Sequence, residues 1–195
     1  MTAGERADAA RNRQAILEAA ERLFDEQGLD AVSMDAVAAA AAVGKGTVFR
    51  RFGDRKGLAL AVMERREAAL REAVASGPPP LGPGASPADR LVAFMDEVAA
   101  LACSMNARSL AYDVCGGGRG ACRYAHWHAH VAGLVAAARP DADAPVLAHA
   151  LLATVDGALI HHLIAREGVT PERVRQAAVA LTKAVAPGTR PPLGP

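Results

Sequence analysis

Residues 33–58 read SMDAVAAAAAVGKGTVFRRFGDRKGL, and the fold turns on this stretch. Ser33 has the character of a helix N-cap, because its hydroxyl can accept a bond from an otherwise unpaired backbone N–H. Asp35 follows in the first turn, where a carboxylate meets the positive end of the helix dipole. Met34, Val37, Ala38 and Ala41 then recur at helical spacing. Gly44 breaks the pattern, and a short helix is expected from about Lys45 to Arg51, with Val48 and Phe52 as its core side chains. Phe52, Gly53 and Asp54 make a corner. Asp54 is placed to cap a further helix that carries Leu58, Ala61, Val62, Ala69 and Val74 to about Ser76. A capped helix, a turn and a short basic helix outline a DNA-binding element, since one helix fits the major groove and its first residues reach base edges.

Upstream, residues 1–9 read as a loose arm, and the helical pattern starts at Ala10. Ile16, Leu17, Ala20, Leu23, Phe24 and Gln27 keep helical spacing, and Gly28 ends that helix as a C′ glycine. Downstream, residues 77–85 read GPPPLGPGA, where prolines without N–H groups exclude helix and sheet. Ser86 and Pro87 then start a helix with Leu91, Phe94, Met95, Val98 and Leu101 as its apolar positions. A shorter helix is expected at 108–115, then a glycine-rich connection through Gly116, Gly117, Gly118 and Gly120. Helices at about 121–138, 145–166 and 171–186 complete the pattern, the last opened by Thr170 and Pro171, and the tail 188–195 is expected to be disordered. No strand pattern and no internal repeat is visible.

Composition agrees. Of the 195 residues, 51% are apolar and 22% charged, enough for a sizeable core. Alanine is abundant and favours helix. The net charge is only +1, so total charge says nothing of nucleic acid. Locally, Lys45, Arg50, Arg51, Arg55 and Lys56 stand against Asp54 alone, one basic surface suited to an anionic partner in a neutral chain. The three cysteines, Cys103, Cys115 and Cys122, form no CxxC pair and no even framework, so a reducing cytoplasm is expected. Residues 1–13 lack the apolar core of a signal peptide. No apolar run reaches the ~20 residues a bilayer requires, so no membrane partner is expected. Phosphate-binding glycine loops, HExxH and GxSxG are absent, so an enzyme is not expected and no cofactor is implied.

Residues 33–58 resemble the signature of the TetR family of transcriptional regulators. In that signature a capped helix and turn precede a helix similar to KGTLYxHF, and a basic corner leads into a long fourth helix. Here Lys45, Gly46, Thr47, Val48, Phe49, Arg50, Arg51 and Phe52 occupy it, and the resemblance is strong over residues 11–62. It implies an all-α protein: a helix-turn-helix DNA-binding domain at 10–53, a helical regulatory and dimerisation domain at 54–187, and the tail. Implied partners are double-stranded operator DNA, a second copy of the chain and a small-molecule effector, with repression of transcription relieved by that effector.

The resemblance assigns DNA contacts to Ser33, Lys45, Gly46, Thr47, Phe49, Arg50, Arg51 and Lys56. Ser33 and Lys56 suit phosphates. Gly46 lets DNA approach closely, and Thr47 suits a phosphate or a thymine methyl. Phe49 stands where the family usually has tyrosine and loses the hydroxyl. Arg50 and Arg51 replace frequent histidines and can read guanine bidentately. Two departures concern the turn. Ala42 stands in place of its glycine, where a left-handed residue costs about 1–2 kcal/mol. Gly44 replaces a capping serine.

In the regulatory half, residues 145–166 are apolar on nearly every side, and Val174, Ala178, Leu181 and Val185 form a seam at four-three-four spacing. Both suit a dimer interface. Asp156 interrupts the first of these stretches and needs a partner, either a neighbouring helix or a ligand. Phe94, Met105, Tyr112, Tyr124, Trp127 and His128 are the candidate lining of an effector site, which suits a lipophilic molecule. Cys122, His126 and His130 are spaced four apart and offer an alternative, a metal- or redox-responsive regulator, although no fourth ligand shows.

Overall fold

A computed structural model describes residues 3–104 and 118–186, with side chains for residues 4, 7–104 and 124–186. Among them every regular element is a helix: α1 (Ala3–Gln27), α2 (Met34–Ala40), α3 (Lys45–Phe52), α4 (Arg55–Ser76), α5 (Pro87–Ser104), α6 (Gly118–Ala138), α7 (Ala144–Ala153), α8 (Gly157–Ala165) and α9 (Pro171–Val185). The all-α architecture, with a helix-turn-helix followed by a helical second half, is as expected. The chain forms two compact units, Met1–Glu67 and Ala68–Pro195, and α4 runs unbroken from the first into the second. The expected helix at 108–115 and the tail 188–195 lie outside the described residues.

In the first unit, α2 packs against both α1 and α3. Ile16, Leu17, Ala20, Phe24, Val37, Val48, Leu58 and Val62 are fully buried or nearly so. Phe52, expected in the core, is only half-buried and lies under the Arg13 guanidinium. The helix α1 starts at Ala3 instead of Ala10. Its first turns are rich in good helix formers, and Arg11 pairs with Asp8 one turn before it. Arg65 and Arg66 tie α4 to α1. Arg66 bonds Glu21 at 2.7 Å and Asp25 at 2.6 Å, and Arg65 reaches Glu18 at 3.4 Å.

The turn between α2 and α3 closes by two backbone bonds, from Val43 N–H to the Ala38 carbonyl at 3.0 Å and from Ala42 N–H to the Ala39 carbonyl at 3.1 Å. This is a Schellman motif, which needs a left-handed residue at its C′ position. Ala42 holds that position with φ at 52°, the one non-glycine residue of positive φ among the described residues. The strain anticipated from the sequence is therefore present. Ala42→Gly relieves about 1–2 kcal/mol of it and returns part as unfolded-chain entropy, for an expected net gain of about 0.5–1 kcal/mol. Urea unfolding monitored by circular dichroism checks this; a lower midpoint would show that the alanine is not strained.

In the second unit, α5 is central and packs on α6, α8 and α9. Leu91, Phe94, Met95, Val98 and Ala99 meet Val131, Leu134, Val135, Ala148, Leu151, Leu152, Ile160, Val174 and Ala178 in one core. On α4, Leu70 is buried and Ala69 exposed, the reverse of the expected stripe. Arg90 holds the proline-rich connection by donating to the Leu81 carbonyl and to Val74 O in the last turns of α4, both at 3.2 Å. Arg175 of α9 grips Asp96 of α5 with both arms, Nη2 to Oδ2 at 2.7 Å.

Two expectations are corrected here. The helix α6 opens at Gly118, inside the expected glycine connection. The apolar stretch 145–166 is two helices, not one. Asp156 caps the second, its Oδ1 accepting from Ala158 N at 3.0 Å and Leu159 N at 2.9 Å. It thus bonds its own helix, and N-capping explains the carboxylate among apolar residues. By length and composition alone the 22 residues Ala144–Ala165 could cross a membrane, contrary to the expectation that no apolar run is long enough, but the cap divides them.

Candidate nucleic-acid interface and effector site

The exposed face of α3 is set by what lies beneath it. Val48 is fully buried, which turns the positions one and two residues to either side outward. Lys45, Gly46, Phe49, Arg50 and Arg51 are exposed, with Phe49 at 40% of its full surface, and Thr47 is half-buried. Gly44 occupies the N-cap without a side-chain bond, and its carbonyl accepts from Thr47 N–H at 2.8 Å, so no side chain covers the N–H groups of Lys45 and Gly46. A Cβ on Gly46 would meet nothing within 4 Å.

The cations around this face differ in how they are held. Lys45 Nζ bonds Asp35 Oδ2 at 2.7 Å and stands 5.8 Å from the Phe49 ring centre, a link from α2 to α3 that the sequence did not reveal. Arg50 Nε folds back on the Gly46 carbonyl at 3.2 Å. Arg55 donates to the Asp30 carbonyl at 2.7 Å and braces the corner. Lys56 is exposed in the first turn of α4. Ser33 is exposed and caps α2 through Ala36 N at 3.1 Å, and Asp54 caps α4 through Gly57 N at 2.7 Å.

Gly57 was missed. A Cβ there would lie 2.0 Å from the Phe52 carbonyl oxygen, so the end of α3 and the start of α4 approach through its missing side chain. The only sequence signal is a glycine inside a helical first turn, a costly choice unless packing requires it.

In the second unit the candidate effector residues fall into two groups. Phe94 is buried and meets Trp127 edge to face, ring centres 6.4 Å apart. Tyr124 and His128 lie elsewhere, joined by His149 of α7, which was not anticipated. Tyr124 is exposed and its hydroxyl bonds His149 Nδ1 at 2.6 Å, while the His128 and His149 rings stand 3.9 Å apart. His128 Nε2 donates to the Pro145 carbonyl at 3.0 Å. Met105 and Tyr112 lie outside the described residues.

His130 lies on the Phe94 side, its ring centre 4.6 Å from that of Phe94. Its Nε2 is buried and has no hydrogen-bond partner among the described residues. Leaving such an atom unpaired costs about 1–3 kcal/mol. Burial first, then the charges of Arg90 and His126, hold His130 below the usual histidine range, so the ring is neutral at neutral pH. His126 is exposed, and the side chain of Cys122 lies outside the described residues. Among the described residues no three His, Cys, Asp or Glu side chains gather to hold a metal. Cys103 is buried and its thiol is pushed up by that burial.

An all-helical chain with a helix-turn-helix at its N-terminal end and a separate helical second unit defines a class, the two-unit helical regulators. The comparisons narrow it. Residues 16–62 match the family described as bacterial regulatory proteins of the tetR family, and residues 119–187 match the C-terminal domain of the BetI-type transcriptional repressors. Together these cover more than half of the chain, and it belongs to the TetR family. HTH-type transcriptional regulators of Staphylococcus aureus are 43% identical over 60 residues, 31% of this chain. The match spans only about a third of their length, 32%.

Solved structures share the fold over nearly the whole chain. A transcriptional regulator of Saccharomonospora viridis in complex with choline gives a TM-score of 0.61 at 22% identity, over 87% of this chain and 94% of its own. A TetR-like regulator of Rhodococcus sp. gives 0.54 at 21%, over 88% and 93%. The SmeT–triclosan complex gives 0.54 at 22%, over 94% and 99%.

Proposed function

We propose that the chain is a homodimeric, DNA-binding transcriptional repressor that leaves an inverted-repeat operator when a small lipophilic effector binds its second unit. The observation that carries this is the presentation of α3. Val48 pins it from below, and its open N-terminus, Lys45, Arg50 and Arg51 face outward. A helix so presented fits the major groove. Lys45 would exchange Asp35 for a phosphate, and Arg50 would leave the Gly46 carbonyl for a base edge. Ser33, Thr47, Phe49 and Lys56 complete the proposed surface.

The dimer reading is supported by Val146, Leu159 and Leu181, exposed at 59%, 44% and 52% on three successive helices, α7 to α9. The seam read on α9 divides: Val174 and Ala178 fill their own unit's core, and Leu181 remains outside. The effector reading is supported by the structural relatives that hold choline and triclosan. Because α4 is one unbroken helix from Arg55 to Ser76, we take it as the lever between effector and recognition helix. A coupling of about 1–3 kcal/mol would change operator affinity roughly 5- to 150-fold, and operator would weaken effector binding by the same factor.

Selection from a randomised DNA library tests the reading. The expected product is an inverted repeat with half-site centres about one turn, ~34 Å, or somewhat more apart. On that site Lys56→Ala should weaken binding on all sequences alike and lower the salt slope by about 1. Arg50→Ala should cost about 1–3 kcal/mol and relax the preference at one base pair. Uniform losses for both variants would remove Arg50 from base reading, and a library with no enriched repeat would remove the repressor.

A further inference from the structure

Apolar burial on α4 stops at Met63 and resumes at Leu70, which already belongs to the core of the second unit. The two turns between them cross the boundary of the units, at Glu67 and Ala68. Arg65 and Arg66 stand just before that boundary, and both bond α1 of the first unit. Arg66 Nε donates to Glu21 at 2.7 Å and its Nη2 to Asp25 at 2.6 Å, while Arg65 Nη2 reaches Glu18 at 3.4 Å. Glu18, Glu21 and Asp25 are spaced three and four apart, so α1 offers them along one face. Arg66 is the better held of the two cations. Its side chain is only 16% exposed, so salt screens it little, and its planar fork closes on two carboxylates one turn apart. Such a grip fixes a direction as well as a distance.

We propose that Arg66 is a positioning residue for DNA binding: gripped by Glu21 and Asp25, it fixes the angle at which α4 leaves the first unit, and so sets the half-site spacing that the dimer accepts. This rests on the operator-binding dimer proposed above. In that dimer the first unit carries the recognition helix and the second unit joins the two copies, with α4 the covalent link between them. Play in α4 at the boundary therefore becomes play in the separation of the two recognition helices. One added base pair moves a half-site by ~3.4 Å and turns it by about 35° around the DNA axis, so a stiff link accepts one spacing and a loose link several. A stiff link also holds the second recognition helix ready once the first is bound, which raises its effective concentration.

The test uses the full-length chain and the selected repeat, its half-sites moved together or apart one base pair at a time, beside a single half-site duplex. The native chain should bind the best spacing at least about tenfold more tightly than its neighbours. Arg66→Met, which keeps an unbranched stem, should bind the best spacing about tenfold more weakly and the neighbouring spacings within about threefold of it. Its half-site affinity and salt slope should stay native, because Arg66 meets carboxylates and no phosphate. Glu21→Gln with Asp25→Asn opens the same grip from α1 and should flatten the spacing profile in the same way. A profile as steep as the native one in either variant, a loss shared equally by the half-site duplex, or a salt slope lowered by about 1 in Arg66→Met would each overturn the proposal. The second of these marks a merely structural role and the third a phosphate contact. The native chain separates the proposal from the reading beneath it. A full repeat bound no more tightly than a half-site removes the dimer and the positioning role together, whereas a repeat bound tightly and equally at every spacing keeps the dimer and removes the positioning role alone.

Discussion

Gly57→Ala is expected to destabilise the first unit by about 3 kcal/mol, the upper end for an overpacked site, and to abolish the proposed operator binding with it. The added Cβ would lie 2.0 Å from the Phe52 carbonyl oxygen and 3.2 Å from its carbon. Both are backbone atoms at the end of α3, so no side chain can swing away; α3 itself must shift from α4. Helix propensity works in the other direction, since alanine is favoured over glycine by about 1 kcal/mol inside a helix, so the sign of the result separates the two effects. Gly46→Ala is the control. Its Cβ meets nothing within 4 Å, so the same propensity should leave stability equal or slightly higher. If DNA approaches the start of α3 as proposed, that variant should nevertheless lose affinity. Thermal and urea unfolding with a fluorescent operator duplex give both quantities. A native melting curve for Gly57→Ala would mean that the α3–α4 corner is looser than the structure shows.

The second large effect is on assembly. Leu159→Glu with Leu181→Glu is expected to convert the proposed dimer to monomers at micromolar concentration. Both side chains are about half exposed in the single chain, so the substitutions should change the monomer's stability little. In a two-fold interface each appears twice, and four carboxylates would lose water among apolar neighbours and each other's charge. A cost of about 3 kcal/mol or more weakens dimerisation at least about a hundredfold. Operator affinity should fall by roughly 10²–10⁴, because two half-sites are no longer held by one particle. Sedimentation velocity reads the first effect and a titration of the full operator against a half-site duplex the second. An unchanged dimer would move the interface to another face.

The sequence by itself determined whatever depends on backbone groups a few residues apart. Ser33, Asp54 and Thr170 cap α2, α4 and α9 as read, because an N-cap bonds a backbone N–H only two or three positions on. Gly28 ends α1, and the strain at Ala42 could be foreseen because the turn dictates its φ whatever residue occupies it. The buried Val48 and the exposed cations of α3 followed from helical period alone.

Only the tertiary structure decided matters that join distant segments. Period places Val174, Ala178 and Leu181 on one seam, but their depth depends on where α5 lies, and α5 covers the first two and leaves the third outside. Apolar content made 145–166 look continuous, although the cap at Asp156 is itself a local signal, outweighed there by hydrophobicity. Gly57 is an ordinary glycine until Phe52 O is brought against it. His128 and His130 are two positions apart and cannot be ranked from sequence. Two residues turn a helix by about 200°, so one imidazole meets the start of α7 and the other meets Phe94, 36 positions away in the chain. Local hydrogen bonding is written in neighbouring residues; which face of a helix becomes a wall, an interface or a site is set by the elements that pack against it.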